Sequence, residues 1–177
     1  PSAAAALCAA GAPCAAGATT GALFGAGDDP TQAFCPQNNF YYLPAEELHL
    51  PDAAQALAAA PYREYPAKAT GNDCFSAWPS VNDWYDTVKL NYGVDYASGR
   101  TYFEPRPRTW GMMLDVLLFW ASKGVDGFRC DMAEMVPVQF WEWVIPQIKD
   151  VEWGVTTTDA AGKKTYKKKA PIIFIAE

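Results

Sequence analysis

A regular pattern of apolar positions begins at residue 106 and predicts a helix. In "RPRTWGMMLDVLLFWASKG" the apolar residues recur every three or four positions, as on one face of an α-helix. They are Trp110, Met113, Leu114, Leu117, Leu118 and Ala121. Lys123 supplies a basic last turn and Gly124 a C-terminal stop. We therefore expect one amphipathic helix that ends at this Lys-Gly pair.

The residues after this helix predict two strands with a second helix between them. The first strand candidate is "VDGFRCD", and the last is "PIIFIAE", a continuous apolar run typical of a strand buried on both faces. Between them, "PVQFWEWVIPQIKD" repeats the helical spacing, although Pro146 should kink or split the helix. The apolar positions of this second helix are Trp141, Val144, Ile145 and Ile148. A helix between two strands, without a hairpin turn, predicts a parallel pair in an α/β fold.

Residues 28–106 form a different kind of sequence, rich in Pro, Asn, Asp, Tyr and Trp. Many turn signals and few periodic segments predict an irregular subdomain with one short helix over residues 51–61. Its amides and aromatic rings suit a sugar-binding surface, where ring faces stack on pyranose C–H groups. A small aromatic core is at least as good an interpretation for each ring. The rings concerned are Trp78, Trp84, Tyr85 and Tyr92.

Two further segments are biased in composition. Residues 1–27 consist almost entirely of Ala, Gly and other small residues without a period, which predicts a poorly structured segment. A signal peptide is the less favoured alternative, because the segment lacks a starting Met and a basic beginning. The stretch "VEWGVTTTDAAGKKTYKKKA" holds five of the fourteen Lys and Arg and predicts a hairpin. Solvated loop charge is favoured there over contact with an anionic surface.

Composition and charge exclude several classes of protein. A chain of 177 residues that is 50% hydrophobic can form one globular domain, or one and a half small ones. Its net charge of −6 disfavours a nucleic-acid partner. No apolar run reaches the roughly 18 to 20 residues of a transmembrane helix. Five cysteines are an odd number, so at least one thiol should be free, and a Cys35–Cys74 bridge would be compatible with export. The compartment stays open.

Each of the two predicted parallel strands ends in a carboxylate. Asp131 follows "GFRC" and Glu177 follows "IIFIA". In α/β folds, reactive groups gather beyond the carboxyl ends of parallel strands. Immediate neighbours would lie about 4.8 Å apart, close to the roughly 5 to 5.5 Å between the carboxyl groups of retaining glycosidases. An intervening strand would roughly double the separation, and would fit an inverting enzyme or none.

The surroundings of the two carboxylates predict different roles. Arg129 and Asp131 share a face of the strand, so the guanidinium should favour the ionised carboxylate, which suits a nucleophile. Burial and the nearby negative charge should keep Glu177 protonated, which suits a general acid. The alternative is structural: Asp131 and Glu134 have an aspartate version of the capping-box spacing. Glu177 would then be a frayed end without a role.

The same residues resemble a known family. "GVDGFRCD" resembles the segment of the α-amylase family, glycoside hydrolase family 13, that bears the nucleophile on the fourth barrel strand. "IIFIAE" resembles the acid/base segment of the fifth strand, and "DTVKLNYG" is similar to the approach to the fourth. The resemblance covers about residues 28–177. It implies an α/β fold, a fragment of a TIM (β/α)8 barrel: residues 28–106 form a domain B-like insertion, and residues 107–177 carry the catalytic strands.

The resemblance implies a retaining glycoside hydrolase acting on α-glucans such as starch or maltodextrins. Asp131 would be the nucleophile, Arg129 its charge partner, and Glu177 first the acid and then the base. Transglycosylation shares this covalent intermediate and differs in what accepts the sugar. The alternative is a non-catalytic relative that binds carbohydrate or a partner protein. No cofactor is required, but calcium is compatible, because domain B often binds it and four aspartates offer oxygen ligands: Asp28, Asp29, Asp73 and Asp83.

The chain also departs from the family pattern. It lacks the Asp-x-x-x-Asn-His segment of the third strand, and its one histidine, His49, matches no family motif. Glu134 and Met135 stand where many members have a Lys-His pair. The His-Asp pair of the seventh strand would lie beyond residue 177. Because a barrel needs eight strands in about 250 residues or more, we expect a segment of a larger enzyme, with the rest of the barrel supplied by other sequence.

Overall fold

The computed structural model describes residues 23–57, 59–149, 154–158, 160–162, 164–168 and 172–177, with backbone alone in 154–158 and 164–168. The chain divides into two compact units, Pro1–Thr109 and Trp110–Glu177. The sequence pattern changes slightly earlier, after residue 106. The sequence predicts a poorly structured segment over residues 1–27, and residues 1–22 of it lie outside the described residues. Residues 24–27 form turns, and the Gly25 N–H donates to Asn39 Oδ1 at 2.9 Å.

Within residues 23–57 and 59–109, the first unit contains little regular structure, in agreement with the irregular subdomain that the sequence predicts. Two short antiparallel ladders pair β1 with β2 and β3 with β4. Its elements are β1 (Tyr42–Leu43), α1 (Asp52–Gln55), β2 (Ala67–Lys68), β3 (Val94–Asp95) and β4 (Arg100–Thr101). The helix predicted over residues 51–61 is wrong in length, since α1 has four residues and buries none of them. A helix this short has no packed face to extend it.

Buried polar groups fix the irregular chain of the first unit. The Asp28 carboxylate accepts hydrogen bonds from the backbone N–H groups of Asn39 and Phe40, and it pairs with the Arg108 guanidinium. Arg108 also donates to Asn39 Oδ1 at 2.8 Å. Backbone groups that lack a ladder partner must be satisfied in another way when they are buried. Side-chain hydrogen bonds therefore do in this unit what strand ladders do in a sheet.

The described part of the second unit has the predicted order of helix, strand, helix and strand. After α2, which begins at the unit boundary, a strand leads through a one-turn 3-10 helix into a second long helix, a hairpin and a last strand. The elements are α2 (Arg108–Ser122), β5 (Gly127–Cys130), the 3-10 helix (Ala133–Met135), α3 (Val138–Lys149), β6 (Gly154–Thr158), β7 (Lys164–Lys168) and β8 (Ile173–Ala176).

Helix α2 confirms the predicted amphipathic pattern. Trp110, Leu117 and Ala121 are buried on the expected face. The helix is followed by Gly124, whose φ of +95° lies in the left-handed region that glycine adopts at low cost. The spacing of apolar residues and the glycine stop together set where this helix lies and where it ends.

Helix α3 packs through aromatic residues and tolerates its internal proline. It runs without interruption through Pro146, so the predicted split is wrong. Its buried residues are Phe140, Val144 and Ile148, spaced four apart. The Phe140 ring lies 5.6 Å from the Trp110 ring of α2. This packing holds the helix together where one backbone hydrogen bond is lost at the proline.

Strands β5 and β8 pair in parallel, which confirms the predicted connection. The predicted burial of β8 on both faces is wrong, because Ile173 and Ile175 are each 60% exposed. They share one face of a two-stranded sheet. The other face carries Phe174, whose ring lies 5.4 Å from that of Phe128. The apolar run thus describes a strand whose isoleucine face is uncovered in the described part of the chain.

The Lys-rich stretch forms the predicted hairpin, with β6 and β7 paired antiparallel over five residues each. Its side chains lie outside the described residues, so the interpretation of its charge stays a prediction. None of the helices within the described ranges is both long and apolar enough to span a membrane.

The cysteines do not form the Cys35–Cys74 bridge that was considered from the sequence. Cys35 is disulfide-bonded, whereas Cys74 and Cys130 are free thiols. The Cys35–Cys74 bridge is therefore wrong, and the prediction of at least one free thiol is confirmed.

Candidate active site

Strands β5 and β8 end side by side, and a carboxylate follows each of them. The last register pair is Cys130 with Ala176, so Asp131 and Glu177 come next on the two strands. The Glu177 N–H donates to the Cys130 carbonyl at 3.1 Å. The two strands are immediate neighbours, which is the condition that a retaining separation of the carboxyl groups requires.

One guanidinium contacts both carboxylates. Arg129 Nη2 lies 3.2 Å from Asp131 Oδ1 and also contacts Glu177 Oε2. Alternate residues of a strand share a face, and paired residues of parallel strands point to the same side, so all three side chains meet. The contact with Asp131 was expected from the sequence. The contact with Glu177 was missed there, although the parallel register implies it.

The cluster is open to solvent. Asp131 is 71% exposed, and Arg129 and Glu177 are each 59% exposed. Exposed ion pairs contribute about 0 to 1 kcal/mol to stability, so these charges do little to hold the fold. The burial expected around Glu177 is wrong in the described residues, because nothing covers the end of β8. All three side chains are accessible to a ligand.

Asp131 does not cap the helix that follows it. The N-cap of the 3-10 helix is Met132, with φ of +48° and no side-chain cap hydrogen bond. The Ala133 N–H, which a cap would have satisfied, donates instead to the Glu177 backbone carbonyl at 3.0 Å. The Trp141 indole N–H donates to the Ala133 carbonyl at 3.1 Å. The capping interpretation is therefore wrong, and a backbone bond joins the turn after Asp131 to Glu177.

Cys130 directly precedes Asp131 and could be taken for a second nucleophile. Burial raises the pKa of its thiol. Since the thiolate is the reactive form of cysteine, a raised pKa leaves the group protonated near neutral pH. Asp131 therefore remains the candidate nucleophile at the end of β5.

Some of the four aromatic rings singled out in the first unit are exposed and others are partly buried. Trp78 and Trp84 are exposed, which contradicts the core interpretation for these two. Trp78 stacks on His49 with ring centroids 3.5 Å apart. Tyr85 and Tyr92 are partly buried. Sugar binding by these rings stays a prediction.

The four aspartates considered for calcium do not converge. Among the described residues, no three His, Cys, Asp or Glu side chains come together as they would around a metal ion. At Asp28, the Arg108 guanidinium takes the place of a cation. The Asp83 carboxylate accepts hydrogen bonds from the Ser80 N–H and from the Asn72 amide. Calcium binding by these residues therefore stays a prediction.

Local similarity connects the chain with enzymes that carry one name, alpha-1,4-glucan:maltose-1-phosphate maltosyltransferase. The enzyme of Corynebacterium pseudotuberculosis is 32% identical over 116 residues, which cover 60% of this chain and 16% of the relative. That of Picrophilus torridus is 45% identical over 66 residues, covering 37% and 9%. That of Cereibacter sphaeroides is 44% identical over 43 residues, covering 24% and 7%.

No protein-family model and no solved structure matches the chain. The chain spans at most 16% of the length of these three curated relatives. It is therefore locally similar to enzymes named for their action on α-1,4-glucan.

Proposed function

We propose that the protein carrying this chain is an α-glucan-active enzyme of the α-amylase family that works through a covalent glycosyl-enzyme. The observation that carries the proposal is the parallel register of β5 and β8, which brings Asp131 and Glu177 to neighbouring strand ends beside Arg129. In this proposal the second unit is part of a (β/α)8 barrel, and residues 28–106 are its domain B-like insertion.

The first step would form the covalent intermediate. An Asp131 carboxylate oxygen attacks the anomeric carbon of an α-linked glucosyl unit, and the bond to the leaving oxygen breaks. Glu177 donates its proton to that leaving oxygen when the oxygen belongs to a sugar. Arg129 holds the Asp131 carboxylate in place through its charged hydrogen bond. The product is a β-glycosyl ester on Asp131.

The second step would return the sugar to the α configuration. Glu177, now ionised, removes a proton from the acceptor hydroxyl, whose oxygen attacks the anomeric carbon and releases Asp131. Water as acceptor gives a hydrolase, the activity that the sequence predicts. A glucan hydroxyl gives a transferase, which the names of the similar enzymes support. We propose transfer to a glucan as the main reaction.

The assay offers the full-length protein two donors, maltose 1-phosphate with maltohexaose and soluble starch alone. We expect phosphate release with longer glucans from the first, and retention of the α configuration in the first-formed product by proton NMR. Hydrolysis of starch without chain extension would contradict transfer as the main reaction and would support a hydrolase. A β-configured product, or a folded protein that uses neither donor, would contradict the proposal.

A further inference from the structure

The first unit contains a cavity of about 340 Å³, lined entirely by residues of that unit. Small-molecule sites have volumes of roughly 300 to 1,000 Å³. The walls combine apolar side chains, among them Leu48, Leu50 and Val88, with two tyrosines and three charged residues. Mostly apolar walls with a few polar groups are the usual makeup of a ligand site.

Hydrogen bonds fix one wall of this cavity before any ligand arrives. The Tyr62 hydroxyl donates to Glu64 Oε2 at 2.8 Å. The Lys68 N–H donates to Glu64 Oε1 at 2.8 Å, and Lys68 Nζ lies 3.1 Å from Glu64 Oε2. The bond to Glu64 raises the pKa of Tyr62, so the phenol stays protonated and keeps donating. The Tyr62 ring is half-exposed and already held in place, so little side-chain entropy is lost when a ligand stacks on it.

The segment 85–88 supplies polar groups that remain available. Tyr85 and Asp86 line the cavity, and no other described residue hydrogen-bonds to their side chains. A carboxylate accepts hydrogen bonds, and a phenol can both donate and accept one. Ring faces for C–H groups and free acceptors for hydroxyls together match the two surfaces of a pyranose.

The charges of the cavity select against an anionic ligand. Glu64 and Asp86 are acidic, and the ammonium group of Lys68 is already paired with Glu64. A phosphate would therefore meet a net negative charge without a free cation to bind it. We propose that this cavity binds one or two glucose units of a neutral α-glucan chain, as a carbohydrate site built from residues of the first unit alone. The choice of α-glucan as the ligand rests on the proposed function.

The test reads binding segment by segment. The full-length protein with Asp131→Asn, which prevents consumption of the ligand, is titrated with maltotriose and followed by hydrogen–deuterium exchange and mass spectrometry. We expect maltotriose to protect peptides that contain residues 62–68 and 85–88. Maltose 1-phosphate at the same concentrations should leave these peptides unprotected.

Variants assign the protection to the cavity. Tyr62→Ala and Tyr85→Ala should each raise about tenfold the maltotriose concentration that half-protects these peptides. Asp86→Asn alters an exposed carboxylate without removing packing, and it should weaken protection several-fold. Tyr65→Ala removes an exposed ring of the same unit that does not line the cavity, and it should change nothing. The unfolding midpoint of each variant shows that it is folded.

Two results would overturn this inference: maltotriose that fails to protect the two segments, or protection that is equal in the Tyr85→Ala, Asp86→Asn and Tyr65→Ala variants. Equal protection by maltose 1-phosphate would overturn the charge selection. If the wild-type protein turns over a donor but the cavity segments are not protected, the proposed function holds and the cavity site is rejected. Protection without any turnover would keep this site and remove the proposed function.

Discussion

Each of the two units contains an Arg–Asp ion pair. The two pairs differ in burial and in the sequence separation of their residues. In the first unit, Arg108 and Asp28 are 11% and 1% exposed and are surrounded by backbone donors. In the second unit, Arg129 and Asp131 stand in solvent at a strand end. The first pair joins residues eighty positions apart, and the second joins residues two apart.

Burial decides what each pair can do. A buried charge must be matched by its neighbours, so breaking such a pair leaves a costly uncompensated charge. An exposed pair is screened by water and adds little to stability. The Arg108–Asp28 pair is therefore structural, whereas Arg129 and Asp131 keep their groups accessible for a substrate. Predictions for the two pairs should separate cleanly into stability and activity.

The largest effect is expected on activity at the strand ends. Asp131→Asn removes the proposed nucleophile and should lower kcat on the order of 10⁴-fold. Glu177→Gln removes the proposed acid and base and should lower kcat by about 10² to 10⁴-fold for a sugar leaving group. Both unfolding free energies should stay within about 0.5 kcal/mol of wild type, because these side chains are exposed. Steady-state kinetics measures the loss of kcat, and urea unfolding of the full-length protein measures the change in stability. Near-normal turnover in either variant would contradict the catalytic role of that residue.

The next effect is on stability at the buried pair. Asp28→Asn leaves the Arg108 charge buried without its partner and should lower the unfolding free energy by about 3 to 5 kcal/mol. The double variant Asp28→Asn with Arg108→Met should recover part of this loss, since it removes the orphaned charge. Urea unfolding measures both. A loss below about 1 kcal/mol in the single variant would show that the pair behaves like an exposed one.

A smaller effect is expected when the shared arginine is replaced. Arg129→Lys keeps a positive charge but cannot hold two carboxylates through one planar group. Loss of one charged hydrogen bond, worth about 1.5 kcal/mol, should lower kcat/KM on the order of tenfold. The unfolding midpoint should not move. Unchanged kinetics would remove Arg129 from the site.

The smallest effect concerns acid stability at Asp29, the neighbour of the buried pair. Hydrogen bonds from Thr31 and Gln32 lower its pKa from the ordinary 3.8. A lowered pKa in the folded state adds stability above pH 3.8, and this stability is lost as the pH falls through the folded-state pKa. Asp29→Asn should therefore be slightly less stable than wild type above about pH 4, and the difference should disappear in more acidic solution. A difference that persists at pH 2 would contradict this origin.

The sequence predicts the second unit far better than the first. Helix α2 follows from its apolar spacing and Gly124, and the parallel pairing of β5 with β8 follows from the helix between them. Two local errors have physical causes. Helix packing outweighs the break expected at Pro146, and the burial of β8 depends on neighbours that an apolar run cannot specify.

Long-range contacts explain what the sequence could not predict. The network of Asp28, Asn39 and Arg108 and the cavity at Tyr62 and Asp86 join turns without any period. The strand-end carboxylates could be found because each directly follows a recognisable strand. Their common contact with Arg129 required the register, which only the paired strands supply.

The central claim is that Asp131 forms a covalent bond with the sugar. In the full-length Glu177→Gln variant, α-maltosyl fluoride should react without an acid, because fluoride is a good leaving group, and the intermediate should persist without its base. Peptide mass spectrometry should then find a maltosyl group on Asp131, and the added Asp131→Asn substitution should abolish it. No adduct, or an adduct on another carboxylate, would contradict the account.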